Sequence, residues 1–391
     1  MPKNDIIVNL PGLRVKKCEG FNPVIMHVSS TMKVRCPHCD SSKLRKKDKF
    51  VRNIKHTNIG LRQIILRVTA HKYQCKTCLR YFNQQFPGIS KYKRSSETLR
   101  RDVFILHNHG ISRKDLARLV GFSTASIERC YHERYEIENR EFNERLCPRV
   151  LGIDEHSFSG RGGYATTFCN LAKHSIFDVV QGKSAKDLES YLSSLQGRER
   201  VKVVCIDMSD SYHAIIRKWF PNAKIVADRF HVIRLINHSF IKQAQAIDPD
   251  TKHQRGIIRL LRMHSKNMTE LQSRRFEAYL ELYPAIKAIY EFKEQLVSCL
   301  LEKTQTKKQC RGLAPIFLEA IEQLKTSGLE VLQTLGRTLD KWKEEIARMW
   351  RFSKTNGITE GFHRKMKLIQ RRAYGFKNFE NYRLRVRVLC A

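Results

Sequence analysis

Acidic residues are scarce in this chain: 38 Asp and Glu stand against 73 Lys and Arg among 391 residues, a formal net charge of +35. So large a surplus exceeds what solubility requires and indicates a polyanionic partner, with nucleic acid as the first candidate. Long apolar runs are also missing, since no stretch approaches the roughly 18 apolar residues that a membrane-spanning helix needs. The first residues lack the secretory pattern of positive charge followed by an apolar segment, so we expect a cytosolic protein.

The composition otherwise fits a folded protein with reduced thiols. A 41% share of hydrophobic residues excludes disorder of the whole chain, and the length predicts two or three domains. The twelve cysteines are spread too widely for a small disulfide scaffold, which favours free thiols and metal ligands. Residues 1–150 contain 31 Lys and Arg against 13 Asp and Glu, whereas residues 151–240 contain 12 against 9. This contrast marks a boundary near Pro148, between a basic arm and a more balanced core.

Two CxxC pairs predict a metal site near the N-terminus. A two-residue gap lets both sulfurs of a pair reach one ion, and zinc prefers four tetrahedral thiolates. The predicted ligands are Cys36, Cys39, Cys75 and Cys78. Between the pairs, apolar residues alternate at Ile64, Leu66 and Val68, which predicts a hairpin and therefore a zinc ribbon. The metal itself need only stabilise the domain; the functional part is a basic surface, because residues 33–80 hold 14 Lys and Arg against 2 Asp.

Residues 95–140 have the pattern of three helices with a turn at Gly121. Ser112 and Ser123 stand at the N-cap positions of the second and third helices. If this is a helix-turn-helix, the third helix would enter the major groove with four polar side chains, Thr124, Ser126, Arg129 and His132. A plain three-helix bundle that connects domains would show the same apolar pattern.

The central segment, residues 150–231, has aspartates where apolar strands stop. Three strands, then helix, strand, helix, strand and helix, is the order of a ribonuclease H-like sheet, whose first and fourth strands are neighbours. Asp154 and Asp207 follow those two strands, so we expect their carboxylates to share a divalent-metal site. A single strand-end Asp is often only a helix N-cap or turn former. Asp228 and His231, after the fifth strand, could either brace such a site or cap the next helix.

The last segment is again strongly basic, with eleven Lys and Arg and two acids in residues 351–391. One of these acids, Glu360, must either bind metal or pair with a cation. Its predicted helix also carries Arg364, Lys367 and Arg371 at helical spacing, and we expect these bases to contact DNA. The aromatic residues interleaved with bases beyond that helix could stack on DNA, although a core stripe is the commoner reason for such spacing. Residues 232–350 are predicted to be helical, and they could pack, dimerise or clamp DNA.

These features together resemble bacterial insertion-sequence transposases of the ISL type, which belong to the DDE superfamily. Besides the CxxC pairs, the resemblance rests on GIDEHSF, CIDMSDSYHAIIRKWFPNAKIVADRFHV and TNGITEGFHRKMKLIQRRAYGFKNFENYRLRVRVLC, and it covers almost the whole chain. It implies that Asp154, Asp207 and Glu360 are the catalytic acids, and that Asp228 and His231 form a supporting element. One alternative alignment gives Asp228 the role of Asp207, and the family often carries Asn where this chain has His363.

The resemblance also implies a fold and a domain order. The fold is an α/β ribonuclease H-like catalytic core with an all-α insertion, preceded by a small zinc ribbon and a helix-turn-helix domain. The expected segments are a zinc-binding ribbon (1–90), a helix-turn-helix domain (91–147), the first part of the core (148–240), the all-helical insertion (241–350) and the C-terminal part of the core with the Glu-bearing helix (351–391).

The expected activity is metal-dependent hydrolysis at terminal inverted repeats, followed by strand transfer into target DNA. We expect two Mg²⁺ or Mn²⁺ ions, with Asp154 bridging both and Asp207 and Glu360 each holding one. The partners are double-stranded DNA and further copies of the chain, because two element ends must be held together, and the setting is the bacterial cytoplasm at the nucleoid. Two rivals remain: a DNA-binding regulator with an inactive core, and a metal-dependent nuclease of the same fold that cuts without joining.

Overall fold

The computed structural model shows a mixed α/β protein with two five-stranded mixed sheets and many helices. Contacts divide the chain into two units, Met1–Glu141 with Ile369–Phe376, and Phe142–Leu368 with Lys377–Ala391. None of the described helices is long and apolar enough to cross a bilayer. The structure describes residues 8–143, 145–159, 163–302, 306–352 and 357–390.

The sheet of the first unit is built around the predicted long hairpin. Its strands are β1 (Leu13–Glu19), β2 (Val24–Ser30), β3 (Leu44–Ile59), β4 (Arg62–Cys75) and β5 (Tyr81–Asn83). The order is β1-β2-β4-β3, with β5 on β4. Gly60, at φ +60°, makes the β3–β4 turn in the left-handed region that glycine adopts readily. The alternating residues Ile64, Leu66 and Val68 are buried, as predicted.

Three helices follow where the sequence predicts them: α1 (Glu97–Asn108), α2 (Arg113–Val120) and α3 (Thr124–Asn143). The Ser112 hydroxyl caps α2 by accepting from the Asp115 amide at 3.1 Å. Gly121 ends α2 at φ +64°, and the Ser123 hydroxyl accepts from the Ser126 amide at 3.2 Å at the start of α3. The apolar faces of the helices meet in a small core that includes Leu99, Val103, Leu116, Val120 and Ile127.

The sheet of the second unit has the predicted adjacency of its first and fourth strands. Its strands are β6 (Val150–Ser159), β7 (Gly163–Asn170), β8 (Ser175–Gln181), β9 (Val203–Ile206) and β10 (Lys224–Ala227). The order is β10-β9-β6-β7-β8, with β6, β7 and β8 antiparallel and β9 and β10 parallel to β6 and to each other. The helices between and after these strands are α4 (Ala185–Ser194), α5 (Asp210–Trp219) and α6 (Arg229–Ile247).

Strand β6 corrects one expectation, because it does not stop at Asp154. Parallel pairing with β9 ends at Gly152, but antiparallel pairing with β7 continues and places Asp154 opposite Thr167. The hairpin partner satisfies the backbone of β6 beyond the end of β9, so the strand has no reason to terminate there. Asp154 therefore lies inside a strand, just past the last residue that pairs with β9.

The helical segment mainly supplies packing for this unit. Its helices are α7 (Arg255–Arg262), α8 (Glu270–Leu282), α9 (Pro284–Leu301), α10 (Lys307–Thr326), α11 (Glu330–Lys341) and α12 (Lys343–Arg351). Phe317, Leu335 and Trp350 share one hydrophobic core with the sheet residues Val204 and Ile206. Helices α7 and α8 pack with the end of α6 and the start of α9 in a separate cluster. The sequence left packing, dimerisation and clamping of DNA open for this segment. The apolar faces of these helices pack within the unit.

The chain ends in α13 (Gly357–Arg372) and α14 (Phe379–Leu389). A buried ion pair ties α14 to β8: Arg383 Nε donates to Asp178 Oδ1 at 2.8 Å, and Nη2 donates to Oδ2 at 2.7 Å.

The aromatic residues of this last segment lie in two different environments. Tyr382 is fully buried and belongs to the core, whereas Tyr374 is 92% exposed.

We expect Arg383→Met to destabilise this unit by about 3 kcal/mol, because it leaves the buried Asp178 carboxylate without its bidentate partner. Urea unfolding followed by circular dichroism measures the change. Arg274→Met is the matched control, since Arg274 forms an exposed pair with Glu270 that contributes less than about 1 kcal/mol. Equal stability of the two variants would contradict a structural role for the buried pair.

Candidate functional site

The four predicted zinc ligands meet in one cluster. Their sulfur atoms all lie within 4.8 Å of one another, with Cys36 3.6 Å from Cys78 and Cys39 3.6 Å from Cys75. No other group of three or more metal-binding side chains comes this close in the part of the chain that the structure describes. Four thiolates at this spacing fit a tetrahedral zinc ion.

Backbone amides of the second CxxC pair donate hydrogen bonds to the sulfur of Cys75 and stabilise its thiolate. The amides of Thr77 and Cys78 donate to Cys75 Sγ at 3.4 and 3.5 Å. Hydrogen bonds from the Cys78 and Thr77 amides lower the pKa of the Cys75 thiol to about 6. Because the thiolate is the form that binds metal, these amides favour the metal-binding form of Cys75.

The second candidate site lies in the other unit, at the edge of the sheet where β9 and β10 end beside β6. Asp207 directly follows β9, Asp228 directly follows β10, and Asp154 lies on β6 just beyond its pairing with β9. The side chain of Asp154 is only 14% exposed. Because β6, β9 and β10 are adjacent and parallel, the structure brings the three aspartates to one edge of the sheet.

Burial and mutual repulsion disfavour the charged forms of two of these carboxylates. The pKa of Asp154 is raised to about 6, mainly by burial and to a smaller extent by the charges of Asp207 and Asp228, against the lowering effects of His231 and of the Glu155 amide. Burial also raises the pKa of Asp207. Asp207 Oδ1 is buried without a hydrogen-bond partner among the described residues. A hard cation such as Mg²⁺ would satisfy that oxygen and favour ionisation of both groups, so the residues fit a divalent ion.

Asp228 has its own partners. It caps α6 by accepting from the Phe230 amide, and His231 Nδ1 donates to its Oδ2 at 2.7 Å. That hydrogen bond raises the pKa of His231, and the charges of Asp154 and Asp207 raise it as well. The sequence left two roles open for Asp228, bracing the site and capping the next helix. Its contact with the Phe230 amide serves the cap, and its contact with His231 serves the site.

Glu360 is held apart from the aspartates. Its carboxylate accepts from Arg364 Nη2 at 2.9 Å, and its side chain is 46% exposed. Asp154, Asp207 and Glu360 do not form a group with oxygens within 4.8 Å of one another in the described residues. The sequence left metal binding and pairing with a cation open for Glu360. In the structure Glu360 pairs with the cation Arg364.

Helix α13, which carries Glu360, also places His363 beside Asp154. His363 is the residue at which the family often carries Asn. His363 Nδ1 lies 3.8 Å from Asp154 Oδ2, and its Nε2 is hydrogen-bonded to the Thr167 hydroxyl at 3.1 Å. That hydroxyl is also 3.0 Å from His156 Nδ1, and His156 Nε2 is 2.8 Å from the Tyr382 hydroxyl. Burial lowers the pKa of His363 to about 4 and of His156 to about 3, so both imidazoles are neutral at pH 7.

This chain of hydrogen-bonded side chains, which we call the His363 network (His363, Thr167, His156 and Tyr382), links four elements next to Asp154. Its members come from β6, β7, α13 and α14. Sequence analysis missed it because hydrogen bonds between residues about 200 positions apart leave no local pattern. The alternation of β6 gave one weak signal, since it places the polar His156 on the same strand face as Asp154.

The residues predicted to contact DNA lie on helix surfaces. On α3, Thr124 and Arg129 are exposed, and Arg129 Nη2 donates to the Ser126 hydroxyl at 3.2 Å. His132 is half-buried, with Nε2 3.9 Å from a carboxylate oxygen of Glu128 one turn earlier. On α13, the side chains of Arg364, Lys367 and Arg371 are exposed.

Comparison with known proteins finds matches over both regions that hold these sites. Residues 151–386 match the ISL3-type DDE domain, described as a transposase. Residues 33–78 match the zinc finger of the transposases of IS204, IS1001, IS1096 and IS1165. The chain is 22% identical over 375 residues to the transposase for insertion sequence element IS1001 of Bordetella parapertussis, covering 93% of this chain and 90% of that protein.

Proposed function

The chain belongs to the ISL3 family of transposases, and on this premise we propose that it cuts DNA at the terminal inverted repeats of an insertion sequence and joins the freed ends to target DNA. The observation that carries the proposal is the pair of half-buried carboxylates, Asp154 and Asp207, at one edge of a mixed sheet. Neither step needs an energy cofactor, because hydrolysis of a phosphodiester is favourable in water and strand transfer replaces one phosphodiester by another.

In this proposal Asp154, Asp207 and Glu360 hold the divalent ions. Bound Mg²⁺ or Mn²⁺ would activate an oxygen nucleophile and stabilise the charge that develops on the phosphate and the leaving oxygen. Asp154 and Asp207 already face one edge of the sheet, whereas Glu360 would have to exchange Arg364 for the metal. The unpartnered Asp207 oxygen favours Asp207 over Asp228 as the second acid, because Asp228 is already engaged by His231 and the helix cap.

The proposal extends to the fold and to DNA recognition. The order β10-β9-β6-β7-β8, with β9 and β10 parallel to β6, supports a ribonuclease H-like core. The three successive helices with a left-handed turn at Gly121 support a helix-turn-helix, in which α3 would read the major groove. The basic zinc ribbon and the bases on α13 would neutralise phosphates, so affinity would fall steeply as salt rises. Two element ends must be held together, which favours a dimer or larger complex on DNA.

We expect His363→Ala to lower the rate of DNA cleavage about tenfold while leaving DNA affinity unchanged, because side chains that orient a metal ligand typically contribute this much. His363 acts here as a positioning residue for Asp154 through the His363 network. Single-turnover cleavage gives the rate constant, and fluorescence anisotropy gives the dissociation constant.

His253→Ala is the control, since His253 is exposed and lies outside the sheet. His363→Asn should recover most of the rate, because an amide keeps a polar group beside Thr167 and Asp154. A tenfold loss of DNA affinity in His363→Ala, with no change in the rate constant, would contradict the positioning role.

Strand transfer distinguishes a transposase from a nuclease of the same fold. Purified protein is incubated with precut element ends that carry free 3′-OH groups, a target plasmid and Mg²⁺. We expect covalently joined products in Mg²⁺ and none with EDTA. Cleavage of uncut ends without any joining of precut ends would favour the nuclease.

A further inference from the structure

The first unit contains a cleft that the proposed chemistry does not use. Its volume is about 880 Å³, and its wall runs from the first CxxC pair, through the middle of β3, to the segment before α1. A second cavity of about 350 Å³ shares the wall formed by Pro37 and residues 82–85. The two cavities are neighbours, and we call the larger one the ribbon groove.

The charge of the ribbon groove has one sign. The main cleft is lined by Arg52, Lys72, Lys91, Lys93 and Arg94, and no Asp or Glu is among its described lining residues. One of these cations, Lys93, is already paired with Glu133 at 3.2 Å. The others still make the groove strongly electropositive, which suits the phosphates of a nucleic acid strand.

Two tyrosines stand in this groove with their rings largely unpacked. Tyr92 is 85% exposed and Tyr81 is 53% exposed. Lys91 Nζ lies 5.0 Å from the Tyr92 ring centroid, and Lys72 Nζ lies 5.5 Å from that of Tyr81. Each tyrosine thus joins an aromatic face to a cation, the combination that binds a base together with its phosphate.

The backbone at Tyr92 adds a second observation. Its φ of +63° lies in the left-handed region, which is unfavourable for a bulky side chain. Because the Tyr92 ring is exposed, packing in the core does not offset the cost of this backbone conformation. The conformation instead holds the ring in solvent beside the groove.

Exposed rings of this kind favour unpaired nucleotides over duplex DNA. The bases of a duplex are stacked on one another, so their faces are not available to a tyrosine on the protein surface. Bases of a single strand expose both faces. The groove is also lined by Asn53, Asn83 and Gln85, whose amides can donate to and accept from base edges.

We infer that the ribbon groove binds a short unpaired DNA segment, with bases stacked on Tyr81 and Tyr92 and phosphates held by Lys72 and Lys91. The inference rests on the proposed function, because DNA cutting and joining is what exposes unpaired nucleotides to this protein. It assigns the zinc ribbon a role in holding single-stranded DNA that is separate from duplex recognition.

The test compares single-stranded and duplex DNA with the zinc-loaded full-length protein. Fluorescence anisotropy measures affinity for a ~12-nucleotide oligothymidine and for a duplex carrying the inverted repeat. We expect Tyr81→Ala and Tyr92→Ala each to weaken oligothymidine binding about tenfold and to change duplex binding less than about twofold. Tyr92→Phe keeps the ring and should bind like wild type.

Phe21→Ala is the matched control, because Phe21 is another exposed ring (69%), with a cation, Arg62, 3.9 Å from its centroid, but it does not line the groove. We expect it to change neither affinity. A second readout is photocrosslinking of an oligonucleotide containing 5-iodouracil, which should label Tyr81 or Tyr92 in wild type.

Three results would overturn the inference: no binding of oligothymidine, equal loss of duplex affinity in the tyrosine variants, or equal loss in Phe21→Ala. Each of these leaves metal-dependent cleavage intact, so the groove can fail while the transposase proposal stands. Failure of wild type to cleave or join DNA would instead contradict the proposed function, whatever the tyrosine variants do.

Discussion

Asp154→Asn is expected to reduce DNA cleavage at least about a thousandfold, because a neutral amide cannot hold the divalent ion that supplies several kcal/mol of transition-state stabilisation. The substitution preserves the shape of the side chain, and an amide oxygen can still accept the local hydrogen bond from the Glu155 amide. The fold and the affinity for inverted-repeat DNA should therefore persist. A gel-based single-turnover assay in Mg²⁺ measures the rate, and anisotropy measures the affinity.

Asp207→Asn should have an effect of the same order, since its buried Oδ1 would also lose a ligand role. Asp210→Asn provides a matched control only three residues away. Asp210 is exposed and pairs with Lys341 at 2.6 Å, outside the acidic site, so its loss should leave the rate within about twofold. Equal rates for Asp154→Asn and wild type would exclude Asp154 as a metal ligand.

Loss of zinc is expected to unfold the ribbon while leaving the second unit intact. Structural zinc contributes about 10–16 kcal/mol to small domains, more than the hairpin core can replace. Cys75→Ser should therefore lose zinc, become sensitive to proteolysis within residues 33–78, and bind inverted-repeat DNA at least about a hundredfold more weakly. The second unit has its own core and should keep its unfolding transition.

Zinc content is measured by atomic absorption, and cleavage sites by mass spectrometry after limited proteolysis. Cys18→Ser is the matched control, because Cys18 is exposed on β1 and lies outside the cluster. It should retain zinc and protection. A zinc-free Cys75→Ser protein with full protection and full DNA affinity would contradict the role of the metal.

Local patterns in the sequence predicted much of this structure. The CxxC pairs predicted the sulfur cluster, and alternation at Ile64, Leu66 and Val68 predicted the β3–β4 hairpin. The aspartates after apolar runs predicted the acidic edge of the second sheet, although β6 continues past Asp154. Each of these depends on residues close in sequence, or on a strand order that the connections constrain.

Features that depend on distant pairing were not predicted. Strand β2 joins the first sheet by parallel pairing with β4, and no short sequence motif predicts this pairing. The His363 network connects residues from 156 to 382 through single hydrogen bonds. The run of β6 past Asp154 was also missed, because its continuation depends on the partner strand β7 rather than on β9.

The most direct test of the central claim is to map the 3′ ends that the wild-type protein produces. Purified protein is incubated with Mg²⁺ and a DNA fragment carrying the element's terminal inverted repeats with flanking sequence, and the ends are mapped at nucleotide resolution. We predict new 3′-OH ends at the repeat boundary, dependent on Mg²⁺ or Mn²⁺. Salt-sensitive binding of the repeats without cleavage in either metal would contradict the account and favour a DNA-binding regulator with an inactive core.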